Sequence, residues 1–122
     1  MTKRVYIAGP MAGIADGNRQ AFKERAEWLR LAGYEPVNPW DIEPGNHEGP
    51  CIGGTPSNGG TGHQYGCNLR ADIVELMFCD AITFLPGWEN SKGASTEHHV
   101  AQSLGIPQLG SPNGHGPSDL AP

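Results

Sequence analysis

The sequence is poor in cysteine, in charge and in long apolar runs. Three cysteines in 122 residues are too few, and odd in number, for the disulfide framework of a small secreted domain. Only 17% of the residues are charged, the formal net charge is −5, and no basic cluster is longer than Lys3-Arg4. Binding along a long nucleic acid needs a positive footprint, so that class is set aside. A small phosphorylated ligand is not, because local amides and one or two cations can outweigh a mild negative charge. No apolar stretch approaches the roughly 20 residues of a membrane span, and residues 1–10 read as a strand followed by Gly-Pro, not as a secretory signal. The expectation is a cytoplasmic protein. Hydrophobic residues reach only 37% because Gly (18) and Pro (11) take their place, mostly within residues 43–66 and 105–122. The length suits one domain, with a sheet covered on both faces and no second core.

What is present has a regular order. Arg4–Ala8 is a β-branched and aromatic run, a first strand for the sheet centre, and Gly9-Pro-Met-Ala-Gly13 is the loop after it. Asp16 or Asn18 can cap a helix running to about Leu31, in which Phe22, Ala26 and Leu29 form one apolar stripe. Gly33 stops it, Tyr34–Val37 is a second strand, and Asn38-Pro39 turns away. Residues 43–66 form a glycine-rich loop, long enough to be either functional or mobile. A helix over Asn68–Phe78 follows, with Leu69, Ile73, Leu76 and Met77 inward. Asp80 ends it and Ala81–Leu85 is a strand. A third helix spans Ser95–Leu104, with Val100, Ala101 and Leu104 inward, and Gly105-Ile-Pro-Gln-Leu109 leads to a last, weak strand. The alternation predicts an α/β, flavodoxin- or Rossmann-like three-layer sandwich with a small parallel sheet of 4–5 strands and helices on both faces. The domain covers residues 1–109, and 110–122 is a flexible C-terminal tail.

Right-handed crossovers place the loops after the first and third predicted strands side by side. Open sheets bind ligands at the carboxyl ends of their strands, so these two glycine corners define one crevice. In the second corner, Leu85-Pro-Gly-Trp-Glu-Asn-Ser-Lys-Gly-Ala-Ser-Thr-Glu97, Ser91, the backbone at Gly93 and Ala94 and the helix start can hold an anion. Glu97 beside that anion can act as nucleophile or base. Each residue also has a plainer reading. Glu97 can simply compensate a helix dipole in the first turn. Tyr6 can be core, Asp72 a solvated acid, Asp80 a cap, Ser91 a loop or cap residue, and Trp88 a cover for the sheet end.

Several motifs then coincide in order: Val5-Tyr-Ile-Ala-Gly-Pro-Met11, Val37-Asn-Pro39, Leu69-Arg-Ala-Asp-Ile73, Cys79-Asp-Ala-Ile82, Leu85-Pro-Gly-Trp88 and Ser91-Lys-Gly-Ala-Ser-Thr-Glu97. As a set, over roughly residues 4–109, they resemble the nucleoside 2-deoxyribosyltransferase superfamily. More narrowly, they are similar to its short DUF4406 branch, found in phage and bacterial genomes. The resemblance implies a flavodoxin-like fold, a homodimer or higher homo-oligomer, and cleavage of the N-glycosidic bond of a nucleoside or nucleotide. It puts Glu97 at the nucleophilic glutamate, Asp72 at the acid that contacts the sugar or the leaving base, and Tyr6 at the aromatic lining the pocket. Ser91 departs from the acid that transferases of free nucleosides tend to carry and matches the relatives that hydrolyse nucleoside 5′-monophosphates. An acid there would repel phosphate.

The chemistry agrees with those residues. A carboxylate below the sugar can attack C1′ and form a glycosyl-enzyme ester, and Glu97 is the candidate. A second acid can protonate the leaving base, with Asp72 first and Asp80 second. For the phosphate, the candidates are Ser91, the amides of Gly93 to Ser95 and the loop holding Gly9, Pro10 and Met11, with Arg19 or Lys92 adding charge. Trp88 can stack on a base. Water resolves the ester in a hydrolase, a second base in a deoxyribosyltransferase, and no organic cofactor is required. A module that binds or sequesters a nucleotide without turnover is the alternative from another class. A separate constellation, His47-x3-Cys51 and His63-x3-Cys67, carries two nitrogen and two sulfur ligands of the kind tetrahedral zinc accepts. It makes a structural zinc and a zinc-stapled interaction protein a further alternative, although the spacing fits no standard finger. His98 and His99 are expected on the surface of the last helix.

Overall fold

The first strand has apolar residues on both of its faces, which only a doubly covered sheet can bury. The computed structural model, which describes residues 2–42 and 65–110, accordingly puts that strand in the middle. Strand β1 (Arg4–Ala8) pairs in parallel with β2 (Glu35–Val37) on one side and with β3 (Ala81–Phe84) on the other, in the order β2-β1-β3. Val5 and Ile7 point to helix α1 (Arg19–Leu31) and meet Phe22, Ala26 and Leu29. Tyr6 and Ala8 point the other way. They meet Leu76 of α2 (Tyr65–Met77) and Ala94 and Ala101 of α3 (Lys92–Leu104). The period-2 alternation of one five-residue strand therefore divides the core into two layers. Among the described residues the result is an α/β arrangement of three α-helices around a small parallel sheet, compatible with a Rossmann-like fold.

Against the expected 4–5 strands, three are formed among the described residues. The segment after α3 adds only one parallel bridge, Ile82 to Gln108. The Ile82 amide donates to the Pro107 carbonyl at 3.0 Å and the Leu109 amide to the Ile82 carbonyl at 2.8 Å. Pro107 has no amide of its own to extend the ladder. Buried Leu109 anchors this end against the α1 layer.

The helix starts also differ from expectation. Neither Asp16 nor Asn18 caps α1 with its side chain. Both adopt positive φ, 53° and 64°, and the Asn18 amide Nδ2 instead donates to the Pro10 carbonyl at 3.0 Å, tying the β1 loop to the helix. Gly33, at φ 93°, closes α1 as expected, with the Tyr34 amide returning to the Leu29 carbonyl at 3.0 Å. Helix α2 begins at Tyr65, ahead of the expected Asn68, and α3 at Lys92, ahead of Ser95. Ser91 causes the earlier start of α3. Its Oγ accepts from the Ala94 amide at 3.2 Å, as an N-cap does. Glu97 thus falls in the second turn, beyond the position where dipole compensation places an acid. Met77 and Leu104, expected inward, are 52% and 56% exposed near the ends of their helices.

The loops after β1 and β3 touch. A Cβ on Gly9 would lie 2.8 Å from the Leu85 side chain, and one on Gly87, whose φ is +87°, would lie 3.5 Å from Pro10. Glycine at position 9 is what lets the two corners close on each other. Of the loop expected over residues 43–66, Tyr65 and Gly66 belong instead to α2; residues 43–64, and 111–122 of the expected tail, lie outside the described residues.

Candidate active site

The two corners and the starts of α2 and α3 enclose a cleft of about 750 Å³. One wall is the β1 loop, Gly9 to Ala12, with Ile14, Phe22 and Pro39 behind it. The opposite wall is Tyr65, Asn68, Leu69 and Asp72, on one face of α2. Pro86, Gly87 and Asn90 lead into the α3 start, where Ser91, Lys92, Gly93 and Ala94 line the cleft and Glu97 closes it from below.

Glu97 is 5% exposed. Its Oε2 accepts a hydrogen bond from the hydroxyl of Tyr6, which is itself wholly buried in β1. Burial pushes the Glu97 carboxyl up to about 8; the nearby Asp72 charge adds to the rise, and the Tyr6 bond opposes it. Burial also raises Asp72, to about 7. Tyr6 is raised well above the ordinary phenol value, first by burial and then by Glu97 and Asp72. It therefore remains a phenol and can only donate to a Glu97 carboxylate. Two carboxyl groups sharing one cleft, with one held from behind by a buried phenol, can divide the work of nucleophile and acid.

The other expected residues divide between the cleft and elsewhere. Gly9, Pro10, Met11, Ser91, Gly93 and Ala94 line it, and so does Lys92, whose Nζ lies 5.4 Å from the Tyr65 ring centroid. The Ser91 hydroxyl uses a lone pair for the Ala94 amide and keeps its proton for donation. Tyr6, expected to line the cleft, does not; its hydroxyl meets Glu97 instead. Trp88 stands apart, packed on Phe84 and His98 at ring distances of 4.5 and 4.6 Å. His98 is thereby part of an aromatic cluster and not a bare surface residue. Asp80 lies at the opposite edge of the sheet, where its Oδ2 accepts from the Arg4 amide at 2.8 Å, so it fills the capping role and is remote from the cleft. Arg19 sits 4.2 Å over the Trp40 ring. His47, Cys51 and His63 lie outside the described residues, and Cys67 lies in the first turn of α2. Among the described residues no group of three potential metal ligands occurs.

Sequence reasoning missed Tyr65, Asn68 and Asn90. The spacing 65, 68, 72 repeats one helical face and would have joined Tyr65 and Asn68 to Asp72 had the helix been extended back by one turn. No helix among the described residues is long and apolar enough to cross a membrane.

No curated protein matches the chain. A family model described as "Domain of unknown function (DUF4406)" matches residues 3–109, a span that holds both glycine corners, the Tyr6–Glu97 pair and Asp72, and the chain belongs to that DUF4406 family.

Proposed function

We propose that this protein is an enzyme that cleaves the N-glycosidic bond of (deoxy)nucleoside 5′-monophosphates, releasing free base. The observation that carries the reading is Glu97: a carboxylate almost wholly buried at the bottom of a cleft, held by the Tyr6 hydroxyl and facing a second raised carboxyl, Asp72. An ionised Glu97 attacks C1′ and forms an ester to the sugar. The C1′–N bond breaks, and Asp72 gives its proton to the departing base. Water then attacks C1′ of the ester and gives its proton to the Asp72 carboxylate, returning Glu97 as a carboxylate and Asp72 as an acid, with the sugar phosphate as product. Ser91, Lys92 and the leading amides of α3 suit the phosphate, since helix starts favour anions and no acid occupies position 91. The substrate carries its own leaving group, so no organic cofactor is required.

This reading places the chain in the nucleoside 2-deoxyribosyltransferase superfamily, with Pro107–Leu109 as the beginning of a fourth strand, and in the cytoplasm. It includes self-association, supported by the outward apolar stripe Val74, Met77 and Phe78 on and just beyond α2, exposed by 51%, 52% and 66%. The partner is a small nucleotide and not a nucleic acid chain.

The test is incubation of the purified protein with ribo- and deoxynucleoside 5′-monophosphates, with free base followed by chromatography beside Glu97→Ala. Base release that disappears in the variant supports the reading. A new nucleoside formed only when a second base is added would make the protein a transferase. No release under either condition overturns the enzymatic reading and leaves a nucleotide-binding module.

A further inference from the structure

Tyr65 has no part in the chemistry described above, yet its hydroxyl is the cleft's unsettled polar group. The oxygen is buried and has no hydrogen-bond partner among the described residues, an arrangement that costs free energy unless something else supplies the partner. The side chain lines the cleft. A Cβ placed on Gly93 would come within 3.3 Å of this oxygen, so the hydroxyl rests directly on the first turn of α3. Lys92 lies over the same ring, 5.4 Å from its centroid.

The helix geometry explains what this position can reach. Helix α2 leads into β3 and α3 leads out of it, so both start at the carboxyl edge of the sheet. Tyr65 opens α2, as Lys92 and Gly93 open α3. Two helical turns further along the same face of α2 lies Asp72, and one turn further along α3 lies Glu97. The carboxyl pair is therefore the deep end of the cleft, and Tyr65, Lys92 and Gly93 are its mouth. At that mouth the Ala94 amide is taken by Ser91 Oγ and the Ser95 amide by the Ser91 carbonyl. The amides of Lys92 and Gly93 precede these bonds at the helix start. Burial and the two carboxyl groups raise the Tyr65 phenol above its ordinary value, which keeps it protonated and a donor.

We propose that Tyr65 is a substrate-binding residue whose hydroxyl donates to the 5′-phosphate of the bound nucleotide, making it a determinant of monophosphate over free nucleoside. Gly93 serves the same subsite by letting the phenol rest directly on the helix start, beside the leading amides of α3. The assignment rests on the reading that the cleft holds a nucleoside monophosphate, but not on whether the protein cleaves it.

The experiment uses the full chain in a Glu97→Gln background, so that ligands are not consumed. Calorimetric titration with each common nucleoside 5′-monophosphate, and with the matching nucleoside, is compared with and without Tyr65→Phe. The expected result is a loss of roughly 10-fold or more in affinity for the monophosphate, the scale of one hydrogen bond to a charged group, with nucleoside affinity unchanged within about twofold. Gly93→Ala, a second variant at the same spot, should show the same selective loss. Equal affinities with and without the hydroxyl, equal losses for both ligands, or no binding of any monophosphate to the background protein would each overturn the assignment. A selective loss in a protein that releases no base in wild-type form would keep Tyr65 as a phosphate ligand and remove the glycosidase reading alone.

Discussion

The Tyr6 hydroxyl donates to Glu97 Oε2 although the two residues are 91 positions apart in sequence. One belongs to the central strand and the other to the last helix, so the bond joins the nucleophile candidate to the buried centre of the sheet. Tyr6 is fully buried and has no surface on the cleft. Its contribution is therefore to orient Glu97 and to favour its ionised form. Tyr6→Phe should leave Glu97 in place with a higher pKa. Base release at pH 7 should fall by roughly 10-fold and partly recover as the pH is raised. A pH profile that keeps its shape in the variant would reduce Tyr6 to core packing.

The carboxyl pair predicts a bell-shaped pH dependence. Attack needs Glu97 ionised, and its carboxyl is pushed up to about 8. Protonation of the leaving base needs Asp72 in its acid form, and its carboxyl is raised to about 7. The rate should climb as Glu97 ionises and fall as Asp72 loses its proton, with a maximum between about pH 7 and 8 and apparent values that belong to the pair. Asp72→Asn removes the charge that helps to raise Glu97. The rising limb should move to lower pH while the rate for poor leaving bases falls by about 100-fold or more. An unmoved rising limb would show that the two groups are not coupled.

The corner loops predict a packing effect that does not involve the chemistry. A Cβ at position 9 would stand 2.8 Å from both Cβ and Cδ1 of Leu85, and Leu85 is itself buried. The Leu85 amide also bonds the Ala8 carbonyl at 2.8 Å, so neither loop can retreat without losing part of the sheet end. Gly9→Ala should therefore cost roughly 1–3 kcal/mol, seen as a lower midpoint in thermal or urea unfolding. A variant as stable as wild type would mean that the two loops are less tightly joined than the geometry indicates.

Much of this site was legible in the sequence for a simple reason. Val5–Ala8 and Ala81–Leu85 are short apolar runs that end in glycine and proline, and parallel strands put their following loops together. Glu97 followed from the helix attached to the second of those corners, and Asp72 from the resemblance carried by Leu69-Arg-Ala-Asp-Ile73. Tyr65 was hidden because Gly66 sits beside it in a glycine-rich stretch, and glycine costs about 1 kcal/mol inside a helix. Packing of α2 against α3 overrides that cost. The stacking of Trp88 on Phe84 and His98 depends on three elements meeting, which no local pattern encodes. Asp80 became a capping residue because its partner is the Arg4 amide, 76 positions away.

The buried carboxyl of Glu97 should also make the protein less stable than it could be. Glu97 in the folded chain holds its proton up to about 8, far above a carboxyl in an unfolded chain, at about 4.3. The folded state then binds more protons than the unfolded state across that interval, so stability falls as the pH rises. The contribution is fully present below about pH 4 and is lost by the time Glu97 ionises in the folded protein. Glu97→Gln keeps an acceptor for the Tyr6 hydroxyl and can never ionise. It should match wild type in thermal unfolding near pH 4.5 and exceed it above pH 8, by on the order of 3 kcal/mol or roughly 10 °C, while base release is abolished. A gain in stability that grows with pH and accompanies loss of turnover would identify Glu97 as an ionisable residue kept buried for chemistry. Equal melting temperatures across the pH range would mean that the carboxylate is better solvated than its burial implies, and would weaken its claim to be the nucleophile.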